Sequence, residues 1–243
     1  MFIYRLLTDN GHGISRTGLL NVLAFIVALF AALILHEIAH GLVALWNGDN
    51  TAKAYGRLSL NPIKHFDLFG LLLMLLVGFG WAKPVPVNPN NFRNRKVGAI
   101  TVSIAGVLTN IVIAFFAAMG FVLLEKIDLY GKSDSLSYFV YFCGELMYML
   151  MALNVSFALF NILPLYPLDG FRLLSCFVPQ ENGFMRFLRR YSFYIILGLV
   201  ALDYVFDFLP IVSGYSPLSL YIKKFGGLIQ NGFYRFWGLI FNG

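Results

Sequence analysis

From Thr17 to Trp46 the chain carries a single charged side chain, Glu37, in an otherwise apolar run broken only by a few small polar residues and two histidines. A helix over residues 19–46 is about 40 Å long, enough to cross the hydrocarbon core and enter one headgroup layer. A run of this kind is incompatible with an ordinary soluble fold. Composition agrees: 59% of residues are apolar and 12% charged, against about 25% charged in soluble domains. The mean hydropathy is +0.74. In such a chain the net charge of +6 reflects loops facing an anionic leaflet, so no nucleic-acid partner is expected. Cleavage of this first segment as a signal peptide would discard its polar residues, and no small-residue cleavage site precedes it. It is therefore expected to remain as a span.

Further apolar runs cover residues 97–124, 138–163 and 191–209. Residues 68–81 are equally apolar but number only 14, short of the roughly 20 that a span requires. Residues 50–62 alternate with the period of a strand, Tyr55, Arg57 and Ser59 against Leu58 and Leu60. Residues 83–89 are extended by Pro84, Pro86 and Pro89. The expected fold is an all-α polytopic membrane protein. It has about four full transmembrane helices, a re-entrant segment at 68–81 and a small membrane-associated β element. Residues 1–18 and 210–243 are expected to be interfacial, flanking a core at 19–209. If 68–81 dips in and returns, loops 47–66, 82–96 and 171–190 share one face and hold 11 of the 18 lysines and arginines. The positive-inside bias makes that face cytoplasmic.

Within the first span His36 and His40 are four residues apart, so both imidazoles leave one face of a helix and suit two positions on a tetrahedral zinc. Glu37 beside them is a candidate base. A carboxylate in such a segment costs about 2.5–3.5 kcal/mol on insertion scales, which marks it as functional. A catalytic zinc takes three protein ligands and leaves one position open. Asp169, His65 and Asp67 all qualify chemically. Asp169 is preferred because a Pro-x-x-Pro-x-x-Asp-Gly break (Pro164, Pro167, Gly170) turns it back toward the first helix, while the other two sit in a polar loop. Cys143 and Cys176 lack metal-type spacing and are expected near opposite faces, so no disulfide is inferred. Asn154 and Asn161 share one helix face and suit hydrogen bonds between helices. Glu145 reads as a paired or cavity-facing group, and Asp203 and Asp207 as groups near the outer end of their helix.

The pairing of His36-Glu37-Ile38-Ala39-His40 with Asn161-Ile162-Leu163-Pro164-Leu165-Tyr166-Pro167-Leu168-Asp169-Gly170 resembles the site-2 protease family of intramembrane zinc metalloproteases. The motifs Asn61-Pro62-Ile63-Lys64-His65-Phe66-Asp67 and Gly80-Trp81-Ala82-Lys83-Pro84-Val85-Pro86-Val87-Asn88-Pro89 are similar to the compact bacterial branch without a PDZ domain. The resemblance implies His36, His40 and Asp169 as ligands of one Zn2+ per chain, Glu37 as the base, and Asn161 as a hydrogen-bond partner of the substrate carbonyl. The Gly-Pro pair that the family commonly places before a span asparagine is missing from Ala105-Gly106-Val107-Leu108-Thr109-Asn110, which weakens a role for Asn110.

The expected activity is hydrolysis of peptide bonds in membrane-spanning or membrane-proximal substrates, in a multi-pass protein of the cell membrane with its site near the cytoplasmic face. A helical substrate must unwind, and the strand at 54–60 or the extended run at 84–87 could hold it by edge addition. The competing class is a non-hydrolytic metal-binding protein, a transporter or scaffold. Transport calls for polar groups in register across the bilayer, whereas here the ionisable cluster lies near one face.

Overall fold

The computed structural model describes residues 7–9, 12–65, 67–77, 80, 82–128, 133–208 and 216–242. Apart from a two-stranded antiparallel ribbon, β1 (Thr8–Asp9) and β2 (His12–Ile14), every described element is helical. The long helices are α1 (Arg16–Trp46), α4 (Arg95–Leu124), α5 (Asp134–Asn161), α7 (Gly183–Phe208) and α8 (Pro217–Asn242). The short ones are α2 (Thr51–Ala54), α3 (Leu68–Val77) and α6 (Asp169–Ser175). Side chains set several of the starts. Ser15 Oγ accepts from Gly18 N at 2.9 Å, and Asn94 Oδ1 accepts from both Lys96 N and Val97 N, satisfying amides that the first turn leaves unpaired.

By length and composition three of these helices, α1, α4 and α5, can cross a membrane. The expected fourth span at 191–209 falls largely within α7, which is not one of the three among the described residues. Its first turns hold Arg186, Arg189 and Arg190, and Asp203 lies further along. The short apolar run at 68–81 contains α3, ten residues and about 15 Å, too short to cross. The rest of that run lies partly outside the described residues. The strand expected at 54–60 is not formed. Asp49 accepts from Thr51 N at 3.1 Å and from the Thr51 hydroxyl, which starts α2, and Gly56 at φ +62° turns the chain immediately after it. Local hydrogen bonding thus overrides the period-two pattern, and Arg57, placed on the polar face of the supposed strand, is buried. In the terminal segment 210–243, α8 packs on the bundle. Ile229, Phe233 and Trp237 lie against the buried cluster of Ala114, Ala117, Ala118, Met151 and Val155, and Trp237 Nε1 donates to Phe115 O at 2.9 Å.

The bundle is built on two ridges of every-fourth residues. On α1, Ala24, Ala28, Ala32, His36, His40 and Ala44 are all buried. On α4 the same is true of Gly98, Val102, Gly106, Asn110, Ala114, Ala118 and Val122. These small residues let the backbones approach closely, which is how helices associate where apolar surface alone supplies no drive. Contacts between the ridges run in opposite order: His36 meets Asn110 and His40 meets Val102. The two helices are therefore antiparallel, and the connection from Trp46 to Arg95 begins and ends at the same end of the pair.

Candidate metal centre

The two ridges and the break after α5 bring three side chains together. His36, His40 and Asp169 are buried, at 6%, 3% and 4% exposure. Nε2 of His36 and Nε2 of His40 are 3.0 Å apart, and Asp169 Oδ2 lies 3.3 Å from the first and 3.0 Å from the second. Donors around a tetrahedral zinc with bonds of about 2.0–2.1 Å stand about 3.3 Å from one another, so the triangle has nearly the size that zinc requires. Among the described residues this is the group of histidine, cysteine and carboxylate side chains placed to hold a metal.

The outer hydrogen bonds fix which atoms face inward. His40 Nδ1 donates to Val102 O at 2.7 Å, since a carbonyl only accepts, and its Nε2 keeps the lone pair. His36 Nδ1 is 3.0 Å from Asn110 Oδ1, an arrangement that leaves its Nε2 in the same state. Asp169 Oδ2 is buried and has no hydrogen-bond partner. Three electron-rich atoms thus face one point, and a divalent cation satisfies all three at once. Asp169 Oδ1 is turned the other way, 3.5 Å from Arg172 one helical turn on. The donor set and its spacing fit zinc.

Two glycines make room. A Cβ on Gly106 would stand 2.6 Å from His36 Nε2 and closer still to His36 Cε1 and His40 Nε2, so α4 can face both imidazoles only without a side chain there. A Cβ on Gly170 would collide with the carbonyls of Ile162 and Leu163, so the turn bearing Asp169 can fold onto the end of α5 only as it stands.

Glu37 lies beside the group and is oriented by backbone: its Oε2 accepts from Val85 N at 2.8 Å. The other contenders for the third position are engaged elsewhere. His65 is fully buried with Nε2 on Ser59 O at 2.7 Å, and Asp67 Oδ1 accepts from Gly70 N at 2.9 Å at the start of α3. Asn161 turns one amide hydrogen back to Phe157 O at 3.1 Å, just as Asn154 does to Leu150 O. Arg172 stands out only in the fold, as does the contact of Asn110 with His36. Asn110 carried a signal, a fully buried amide in an apolar helix, whereas the role of the Val102 carbonyl left no trace in the side chains.

The chain is 41% identical over 175 residues to YwhC of Bacillus subtilis, which bears a provisional zinc metalloprotease name; the match covers 72% of this chain and 78% of that protein. It is 27% identical over 220 residues to Rip2 of Mycolicibacterium smegmatis, also provisionally named a zinc metalloprotease, covering 86% and 79%. A zinc metalloprotease of Methanocaldococcus jannaschii is 26% identical over 185 residues, 76% of this chain and 43% of that longer one. No family model and no solved structure matches. The identity to YwhC across most of both chains, together with a buried donor triangle of zinc dimensions, establishes that this chain belongs to the same zinc metalloprotease family, with Zn2+ as its cofactor.

Proposed function

We propose that the protein is an intramembrane endopeptidase of the site-2 protease type, in which His36, His40 and Asp169 hold one zinc and Glu37 is the general base. The observation that carries this reading is the convergence of two histidines from α1 with Asp169, 129 residues beyond His40, at a buried point inside an apolar bundle. Zinc bound there supplies a Lewis acid that polarises a peptide carbonyl and makes water easier to deprotonate. The protein's part is positional. Val85 N–H holds Oε2 of Glu37, which leaves Oε1 to take a proton from water and later deliver it to the leaving amine. Asn161 commits one of its two amide hydrogens to Phe157 O and offers the other to the substrate carbonyl.

His36 lies about 15 Å along α1 from Trp46, below one membrane face rather than at the centre. With 68–81 dipping into the bilayer and returning, the basic loops 47–66, 82–96 and 171–190 share that end, and the positive-inside bias then makes it the cytoplasmic opening of a multi-pass protein of the cell membrane. Membrane-spanning proteins are the natural substrates of such a site, through regulated proteolysis. With 54–60 folded as helix and turn, the extended run at 83–88 is the remaining edge on which an unwound substrate could pair, through Val87, since Pro84 and Pro86 have no N–H and the Val85 N–H is held by Glu37.

Glu37→Gln tests the reading. Purified in detergent, the variant should keep one zinc per chain and lose hydrolysis of fluorescein-labelled denatured casein by about 100- to 10,000-fold. Wild-type turnover in that variant sinks the mechanism.

A further inference from the structure

We infer that Arg57 is a positioning residue for Glu37, acting through a single peptide plane. Arg57 is 7% exposed, yet no ion pair among the described residues involves it. Its NH2 group donates to Lys83 O at 2.6 Å and to Pro84 O at 3.3 Å, while its Nε is buried without a partner. A buried guanidinium with no counter-ion is a poor way to fill space; an apolar side chain of the same volume would do so at lower cost. What arginine adds is a grip on two consecutive carbonyls.

The second of these carbonyls matters most. Pro84 O and Val85 N–H belong to the same planar peptide unit and point in opposite directions across it. Arg57 holds the oxygen, and Glu37 Oε2 accepts from the N–H at 2.8 Å. One rigid plane, its preceding φ fixed by the proline ring, therefore links the guanidinium to the carboxylate. A cation at the carbonyl also polarises the peptide and strengthens its N–H as a donor. The run is pinned on both sides: Lys83 N donates to His65 O at 2.8 Å, and Asn88 N to Asp49 Oδ2 at 2.7 Å. The Val85 side chain, 6% exposed, is seated over Gly41, one turn beyond Glu37 on α1. Without the grip, the Pro84–Val85 plane can rotate and Glu37 loses the contact that selects which oxygen faces the substrate.

The inference rests on Glu37 being the base, and the experiment separates the two. Arg57→Met, Arg57→Lys, Val85→Pro and the double variant Arg57→Met/Val85→Pro are compared with wild type and Glu37→Gln for zinc content, hydrolysis of labelled denatured casein, and hydrogen exchange of the 83–88 backbone in metal-free protein. Arg57→Met should keep its zinc, lower kcat by about 10- to 100-fold with KM within about twofold, and speed exchange at Val85 by at least about tenfold. Val85→Pro removes the N–H with Arg57 intact and should lower kcat similarly. The double variant should be no worse than either single one, because both act on one link. Arg57→Lys should recover part of kcat. Unchanged kcat and exchange in Arg57→Met, a loss confined to KM or zinc, or additive losses in the double variant overturn the inference alone. Wild-type turnover by Glu37→Gln overturns it together with the proposed mechanism.

Discussion

Replacing Gly106 with alanine sets two effects against each other, and the structure says which wins. In an isolated helix the change is favourable by about 1 kcal/mol, because glycine gives up more backbone freedom than alanine on folding. Here the new methyl would sit 2.6 Å from His36 Nε2, with His36 Cε1 and His40 Nε2 closer. Carbon and nitrogen rest about 3.5 Å apart, so the helices must separate or the rings must swing by about 1 Å. Overpacking of this kind costs about 1–3 kcal/mol and already cancels the helix gain. The metal is the stricter judge, since its ligand distances tolerate only about 0.2 Å. Gly106→Ala should therefore remain helical by circular dichroism, yet lose zinc affinity by at least about 100-fold in competition with a chelator of known affinity. Stoichiometric zinc at unchanged affinity in that variant would refute the close approach of α4 to the two histidines.

Other perturbations probe the surroundings of the site. Asn110→Ala removes the acceptor of His36 Nδ1 and should weaken zinc binding by about 10- to 100-fold, with Asn110→Asp, which keeps an acceptor, recovering most of it in the same titration. Asp49 is desolvated, which alone would raise its pKa, but hydrogen bonds from Thr51, Asn88 and Asn91 outweigh this and hold its carboxyl below the usual range. A carboxyl depressed in the folded state stabilises above its unfolded pKa of about 4 and loses that contribution as pH falls through the folded value. Asp49→Asn should therefore lower Tm by about 5 °C at pH 7 and flatten the decline of Tm below pH 4 in thermal melts. A wild-type acid profile in that variant would remove Asp49 from the clasp.

The legible part of the molecule was what apolar length and metal spacing can encode. The runs around α1, α4 and α5 are long enough to be read directly, and His36, Glu37 and His40 stand out because polar groups are expensive where they lie. Asp169 could be picked from its proline-broken approach, and the structure brings it, rather than His65 or Asp67, to the histidines. The errors have a common cause. Residues 54–60 alternate like a strand, but Asp49 and Thr51 settle the backbone locally before any pairing partner exists. The missing proline weakens a role for Asn110 in the sequence, and its contact with His36 cannot be read there, because that partner is 74 residues away and depends on two ridges meeting. Backbone donors and acceptors such as Val85 N and Val102 O leave no mark in the residue pattern at all.

The ridge on α1 also decides from which direction solvent can arrive. Ala24, Ala28 and Ala32 are each completely inaccessible, so the lower half of that helix is zipped against its neighbours methyl to backbone. At His36 and His40 the larger rings are accommodated by Gly106, whose missing side chain keeps the approach equally close. The seam is thus shut on both sides of the site, by these three alanines below it and by the packed side chains of Ala44, Phe92 and Val102 toward Trp46, so neither water nor a leak current can run along the line where the two helices meet.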